Sequence, residues 1–157
     1  MENVLAFLVS MFVVVVFGLF SIFAIKNMYT SQYSFLQEEA VLAFRQLLEN
    51  PGNYTKSPPT VGIAMKDLPY TVNLTALSIL KNMEYENWKR GLVSSEDDVR
   101  IILYNGTRYL ILGASMTRSR VAAVNGYAFC PPSKCLDSSF CCPSSGNITV
   151  KVVVTGD

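Results

Sequence analysis

Four cysteines, Cys130, Cys135, Cys141 and Cys142, fall within 13 residues of one another. Clustered thiols have three chemistries open to them: metal ligation as thiolates, redox exchange, or disulfide formation. The spacing Cys130-x4-Cys135 followed by a vicinal Cys141-Cys142 does not match the paired CxxC of a zinc site. A vicinal pair closes on itself only with strain. Two pairings are left: Cys130–Cys141 with Cys135–Cys142, or Cys130–Cys142 with Cys135–Cys141. The reading is a disulfide-stapled surface loop over 130–142, stabilising by about 2–4 kcal/mol.

The remaining chemistry-bearing residues point away from catalysis. The chain contains no histidine, which removes Ser-His-Asp and Cys-His catalysis and His-ligated metals. Glu96-Asp97-Asp98 is the single acidic run, and it lacks the spacing and glycine of a calcium loop. It reads as a solvated turn before a strand. Trp88, with Tyr85 nearby, offers a sugar-stacking surface, but core packing on a helix accounts for it more simply. There is no phosphate loop, no GxSxG and no paired carboxylate site, so we expect no enzyme, no cofactor and no metal site. A net charge of +1 gives no electrostatic case for nucleic acid. Four Asn-x-Thr sequons stand at Asn53, Asn73, Asn105 and Asn147, the N-glycosylation candidates. Sequons and clustered cysteines together predict an extracellular, oxidising location with covalently attached glycans.

The elements that must carry these residues begin with Asn3 to Ile25, 23 residues without a charge. A helix needs about 20 apolar residues to cross a bilayer core. Glu2 precedes the run and Lys26 follows it, so the positive-inside rule read literally points the rest of the chain inward, against the sequons. A short basic leader, removed during maturation while the apolar stretch is kept, resolves that conflict and would make Met1 the first mature residue.

Residues 26–49 contain no proline or glycine. Tyr29, Tyr33, Leu36, Ala40, Phe44 and Leu47 recur at helical spacing, an amphipathic stem ended by Asn50-Pro51-Gly52. Residues 50–70 read as a loop with short extended pieces. A second helix is expected over about 74–90, capped by Asn73 and closed by Gly91; as a cap, Asn73 would compete with its own glycosylation. Strands are expected at Val99–Tyr104, Thr107–Leu112, Arg120–Val124, Tyr127–Phe129 and Ile148–Thr155, with two-residue turns at Asn105-Gly106 and Asn125-Gly126. The fold class is α+β. A long N-terminal helix (1–49, apolar over 3–25) precedes a small antiparallel head with one packed helix (50–157).

With these features in place the chain resembles an archaeal type IV pilin. The resemblance rests on the apolar helix with a carboxylate at its start, Glu2-Asn3-Val4-Leu5. It also rests on the stem through Gln37-Glu38-Glu39, the helix exit from Leu48 to Gly52, and a β-rich head ending in Ile148 to Val152. It implies a subunit held in the membrane as a precursor, which then polymerises with copies of itself. Apolar helices would bundle centrally and heads face outward, serving adhesion or surface attachment. The assembly residues would be Glu2, Val4, Leu5, Phe7, Leu8, Phe12, Phe17 and Phe20. Pilins commonly carry a glutamate at the fifth mature position; here Leu5 stands there, and the pairing role with a neighbour's terminal amine would fall to Glu2. The alternative is a single-pass anchored extracellular binding module that does not polymerise.

Overall fold

The computed structural model describes the backbone of residues 2–115 and 117–156, with side chains described except at 2–8 and 29–32. Two compact units divide the chain, Met1–Phe35 and Leu36–Asp157. The division falls inside the first helix, α1 (Glu2–Glu49). In the first unit every described side chain from Val9 to Met28 is exposed.

The second unit is α+β. After the α1 residues come β1 (Ala64–Met65), β2 (Leu68–Val72), α2 (Leu74–Asn82), α3 (Tyr85–Lys89), β3 (Asp98–Tyr104) and β4 (Tyr109–Gly113). Then follow β5 (Arg120–Phe129), β6 (Cys135–Asp137), β7 (Phe140–Cys141) and β8 (Asn147–Gly156). Six strands form one sheet in the order β1-β2-β5-β8-β3-β4, and β6-β7 form a separate hairpin. The ten-residue β8 pairs antiparallel with β3 on one side and β5 on the other. Its Ile148, Val150, Val152 and Val154 are buried, as are Val99, Ile101 and Leu103 of β3. That period-2 alternation marks a sheet with one face in the core. The same core takes Leu36, Ala40, Ala43, Phe44, Leu47 and Leu48 of α1, with Leu77 and Leu80 of α2 and Trp88 of α3. Fully burying such a side chain contributes roughly 1.5–3 kcal/mol.

Several expectations hold. α1 ends at Glu49, before Pro51-Gly52. Asn73 caps α2, its Oδ1 accepting from the backbone N–H groups of Thr75 (3.0 Å) and Ala76 (3.3 Å). The β3–β4 hairpin turns at Asn105-Gly106, with its centre one residue later. The Asn105 N–H donates to the Arg108 carbonyl at 3.2 Å, leaving Gly106 (φ 95°) and Thr107 between them.

Four expectations are corrected. The sheet is mixed rather than antiparallel, because β2 runs parallel to β5 at Thr71↔Phe129. The helix expected over 74–90 is two helices, with Met83 and Glu84 extended between them. A single helix would place Glu84 on the buried stripe of Leu77, Leu80 and Trp88. The break leaves Glu84 exposed and Trp88 2% exposed. Tyr33, expected on the buried stripe of the stem, is exposed, and burial begins at Leu36.

The fourth correction is Asn125-Gly126, which is no turn. β5 passes straight through it, pairing Asn125 with Lys151 and Gly126 with Val150. Glycine is needed there for packing: a Cβ at 126 would lie 2.4 Å from Phe44 Cζ. Gly126→Ala is therefore expected to destabilise the fold by about 1–3 kcal/mol through overpacking. Gly126→Ala combined with Phe44→Leu should recover part of that loss. Denaturant unfolding of the detergent-solubilised chain measures both, and an undiminished midpoint for Gly126→Ala would contradict the packing role.

Candidate functional site

The residues singled out by sequence fall at four places. The first is α1. Phe12, Phe17 and Phe20 are each about two-thirds exposed. The side chains of Glu2, Val4, Leu5, Phe7 and Leu8 lie outside the described residues. Among the described residues α1 is the one helix long and apolar enough to cross a membrane. Of the two serines in its apolar run, Ser21 is satisfied within the helix, its Oγ donating to the Phe17 carbonyl at 2.8 Å. Apolar surface of this extent is costly in water and calls for lipid or other protein to cover it.

The second place is the cysteine loop. Cys130 pairs with Cys142 and Cys135 with Cys141, which selects one of the two open pairings. The outer disulfide is buried, and Phe140 beside it is almost wholly enclosed. The inner disulfide joins β6 to β7. Three polar links tie the loop to the rest of the head. Lys81 of α2 pairs with Asp137. Arg108 Nη1 donates to the Ser138 carbonyl at 2.8 Å, and Asn105 Nδ2 donates to the Cys141 carbonyl at 2.8 Å. Hydrogen bonds from Lys81 and Ser139 hold the Asp137 carboxyl well below the usual carboxylate range. Disulfides of this kind are compatible with an extracellular location.

The third place overturns the reading of Glu96-Asp97-Asp98 as a solvated turn. Asp97 is 8% exposed and accepts from Ser94 Oγ at 2.6 Å. Its carboxylate lies where a side chain on Gly156 would stand, 2.3 Å from an added Cβ. Asp98 meets the buried Lys89 and Arg118 Nε, each at 3.1 Å, and accepts from Tyr85 Oη at 3.0 Å. Burial alone would raise the Asp98 carboxyl. Hydrogen bonds from Lys89 and Tyr85, with the charges of Lys89 and Arg118, outweigh it and hold the carboxyl below its ordinary value. Burial pushes the Tyr85 hydroxyl up to about 12. Trp88 stacks edge-on to Tyr85 with centroids 5.1 Å apart, a core role rather than a sugar platform.

Glu39 of α1 completes this seam. Its Oε1 accepts the Ser94 N–H at 2.5 Å, while its Oε2 is buried without a hydrogen-bond partner among the described residues. Burial, reinforced by the Asp97 carboxylate, pushes the Glu39 carboxyl up. In sequence Glu39 lies off the apolar stripe of the stem. Its partners lie about 55 positions away in the chain, so no local signal marks it.

The sequons differ in what holds them. Asn53 and Asn147 are exposed, and Asn73 and Asn105 half-buried. Asn73 spends its Oδ1 on the helix cap, the conflict foreseen from sequence. A surface not anticipated from sequence is the second face of the sheet, where Tyr109, Ile111, Tyr127 and Phe129 are exposed and Tyr104 stacks on Tyr109 at 4.4 Å. Alternation along β4 and β5 is the signal that would have found it. Comparison with protein-family models, curated proteins and solved structures finds no match to this chain.

A carboxyl raised in the folded state contributes stability that is full at low pH and lost as pH rises through its folded value. Glu39→Gln should therefore lose less stability than the parent between about pH 5 and pH 7, and be at least as stable at pH 7. Thermal melts at the two pH values measure this, and parallel losses would contradict it. Replacing Cys130 and Cys142 with alanine should cost about 3 kcal/mol, more than replacing the less buried Cys135–Cys141 pair, which closes a shorter loop. Equal denaturation midpoints for the two double variants would refute the ranking.

Proposed function

We propose that this chain is a structural subunit of an extracellular type IV pilus-like filament that polymerises through its apolar N-terminal helix, serving adhesion or surface attachment. The observation that carries the reading is the helix surface from Val9 to Met28, exposed at every described side chain, in a chain whose second unit buries its own core. A helix apolar all round exchanges lipid for neighbouring helices at little cost, because both environments cover the same surface. A precursor waits in the membrane, and the polymer then buries residues 3–25 among copies of the same helix. The stapled head suits an exposed, protease-rich exterior. Glu2 takes the pairing role with a neighbour's terminal amine.

A second reading, a single-pass anchored binding module that does not polymerise, is favoured by the exposed Tyr109, Ile111, Tyr127 and Phe129 on the open sheet face. Electron microscopy and mass spectrometry of material sheared from native cells separate the two. The filament reading expects thin filaments containing this chain, with the apolar helix retained. Phe17→Lys should abolish those filaments, and Glu2→Gln should reduce them. The chain found solely in the membrane fraction, without filaments, would refute polymerisation and leave the binding module. Normal filaments from Glu2→Gln would remove the pairing role alone.

A further inference from the structure

We propose that Asn53 carries an N-linked glycan in the mature protein and that Asn105, a sequon of the same local geometry, stays bare as a structural strut. The proposal rests on the extracellular location in the reading above, and it divides sequons that sequence leaves equivalent. In both, the asparagine Oδ1 accepts two bonds from the threonine two residues on. For Asn53 these come from Thr55 N–H (3.2 Å) and Thr55 Oγ1 (2.7 Å). For Asn105 they come from Thr107 N–H and Thr107 Oγ1, both at 3.0 Å. The two sites differ at the nitrogen that a sugar must take.

At Asn53 the side-chain nitrogen has no hydrogen-bond partner among the described residues, and the residue is exposed. The backbone is nonetheless fixed, since Asn53 N–H donates to the Thr60 carbonyl at 2.7 Å and Thr60 N–H to the Asn53 carbonyl at 3.0 Å. Thr55, Lys56 and Ser57 beside it are exposed as well, leaving room for a bulky group. Asn105 is half-buried, and its Nδ2 donates to the Cys141 carbonyl inside the disulfide loop. A sugar there would stand between the β3–β4 hairpin and the loop it ties down. Neither remaining sequon repeats the pattern. Asn73 Oδ1 accepts the backbone N–H groups of Thr75 and Ala76 rather than a threonine hydroxyl, and Asn147 begins β8, where side chains two residues apart are about 7 Å apart along the strand.

The transfer forms a bond between Asn53 Nδ2 and the anomeric carbon of a glycan activated as a phosphate ester. The sugar–phosphate bond breaks, the phosphate departs with the bonding pair, and Nδ2 loses one proton. The donor and its glycosyltransferase belong to the host cell.

Tryptic cleavage separates the two sites, placing Asn53 in residues 46–56 and Asn105 in residues 101–108. Glycopeptide mass spectrometry of the full-length chain from the native surface fraction should find a sugar mass on 46–56 and the unmodified mass for 101–108. Thr55→Ser should keep the increment and Thr55→Val should abolish it. A bare Asn53, an occupied Asn105, or an increment that survives Thr55→Val would overturn the proposal. Protease shaving of intact cells reports location independently. A shaved chain with a bare Asn53 defeats this inference and leaves the filament reading standing; a chain protected inside the cell defeats both.

Discussion

The head depends on β8. Strand pairing along all ten of its residues with β5, and along seven with β3, makes it the centre of the sheet. Every other strand of that sheet is placed through one of these two ladders. The constraint is steric as well as hydrogen-bonded. Its alternating Ile148, Val150, Val152 and Val154 must face the helical layer, and a slip of one residue would turn all four outward. Because β8 pairs without a break over ten residues, β5 must run unbroken beside it, and Asn125-Gly126 cannot turn. The glycine is then taken up by packing, where the Phe44 ring lies against the bare backbone.

Where the helical layer meets this sheet, the contact is not wholly apolar. Lys89, Asp98, Arg118 and Tyr85 form one satisfied cluster, with Lys89 Nζ also lying 5.8 Å from the Tyr85 ring centroid. Beside it Glu39 and Asp97 form a strained one, two carboxyls sharing a poorly hydrated space with one oxygen unpartnered. The first cluster fixes where α3 sits, because removing one member of a buried pair leaves the other uncompensated. The second costs stability at neutral pH. Its position, joining α1 to the segment before β3, makes it a place where protonation is felt by the packing of the stem.

The chain presents two surfaces held to opposite standards. The head closes over its core and staples the 130–142 loop with two disulfides. The helix from Val9 to Met28 shows its apolar side chains on all sides. Such a chain is stable only with a second apolar phase to receive the helix, either lipid or like helices.

Local chemistry made much of this legible in the sequence. The uncharged run from Asn3 to Ile25, the helix stop at Pro51-Gly52, the Asn73 cap, the strands at Val99–Tyr104 and Ile148–Thr155 and the turn at Asn105-Gly106 each depend on residues within a few positions of one another. The four cysteines fixed that a stapled loop exists. The tertiary structure decided what depends on partners distant in the chain: which cysteines pair, that β2 lies parallel to β5, and that the second helix breaks at Met83 to keep Glu84 out of the core. It also decided that Asp97 is buried and that Asn53 and Asn105 part ways at their amide nitrogens. The physical reason is the same in each case. Periodicity, caps and turn residues act through the neighbouring backbone and are written in order. Burial, charge pairing and close approach are set by residues that the chain brings together only once it has folded.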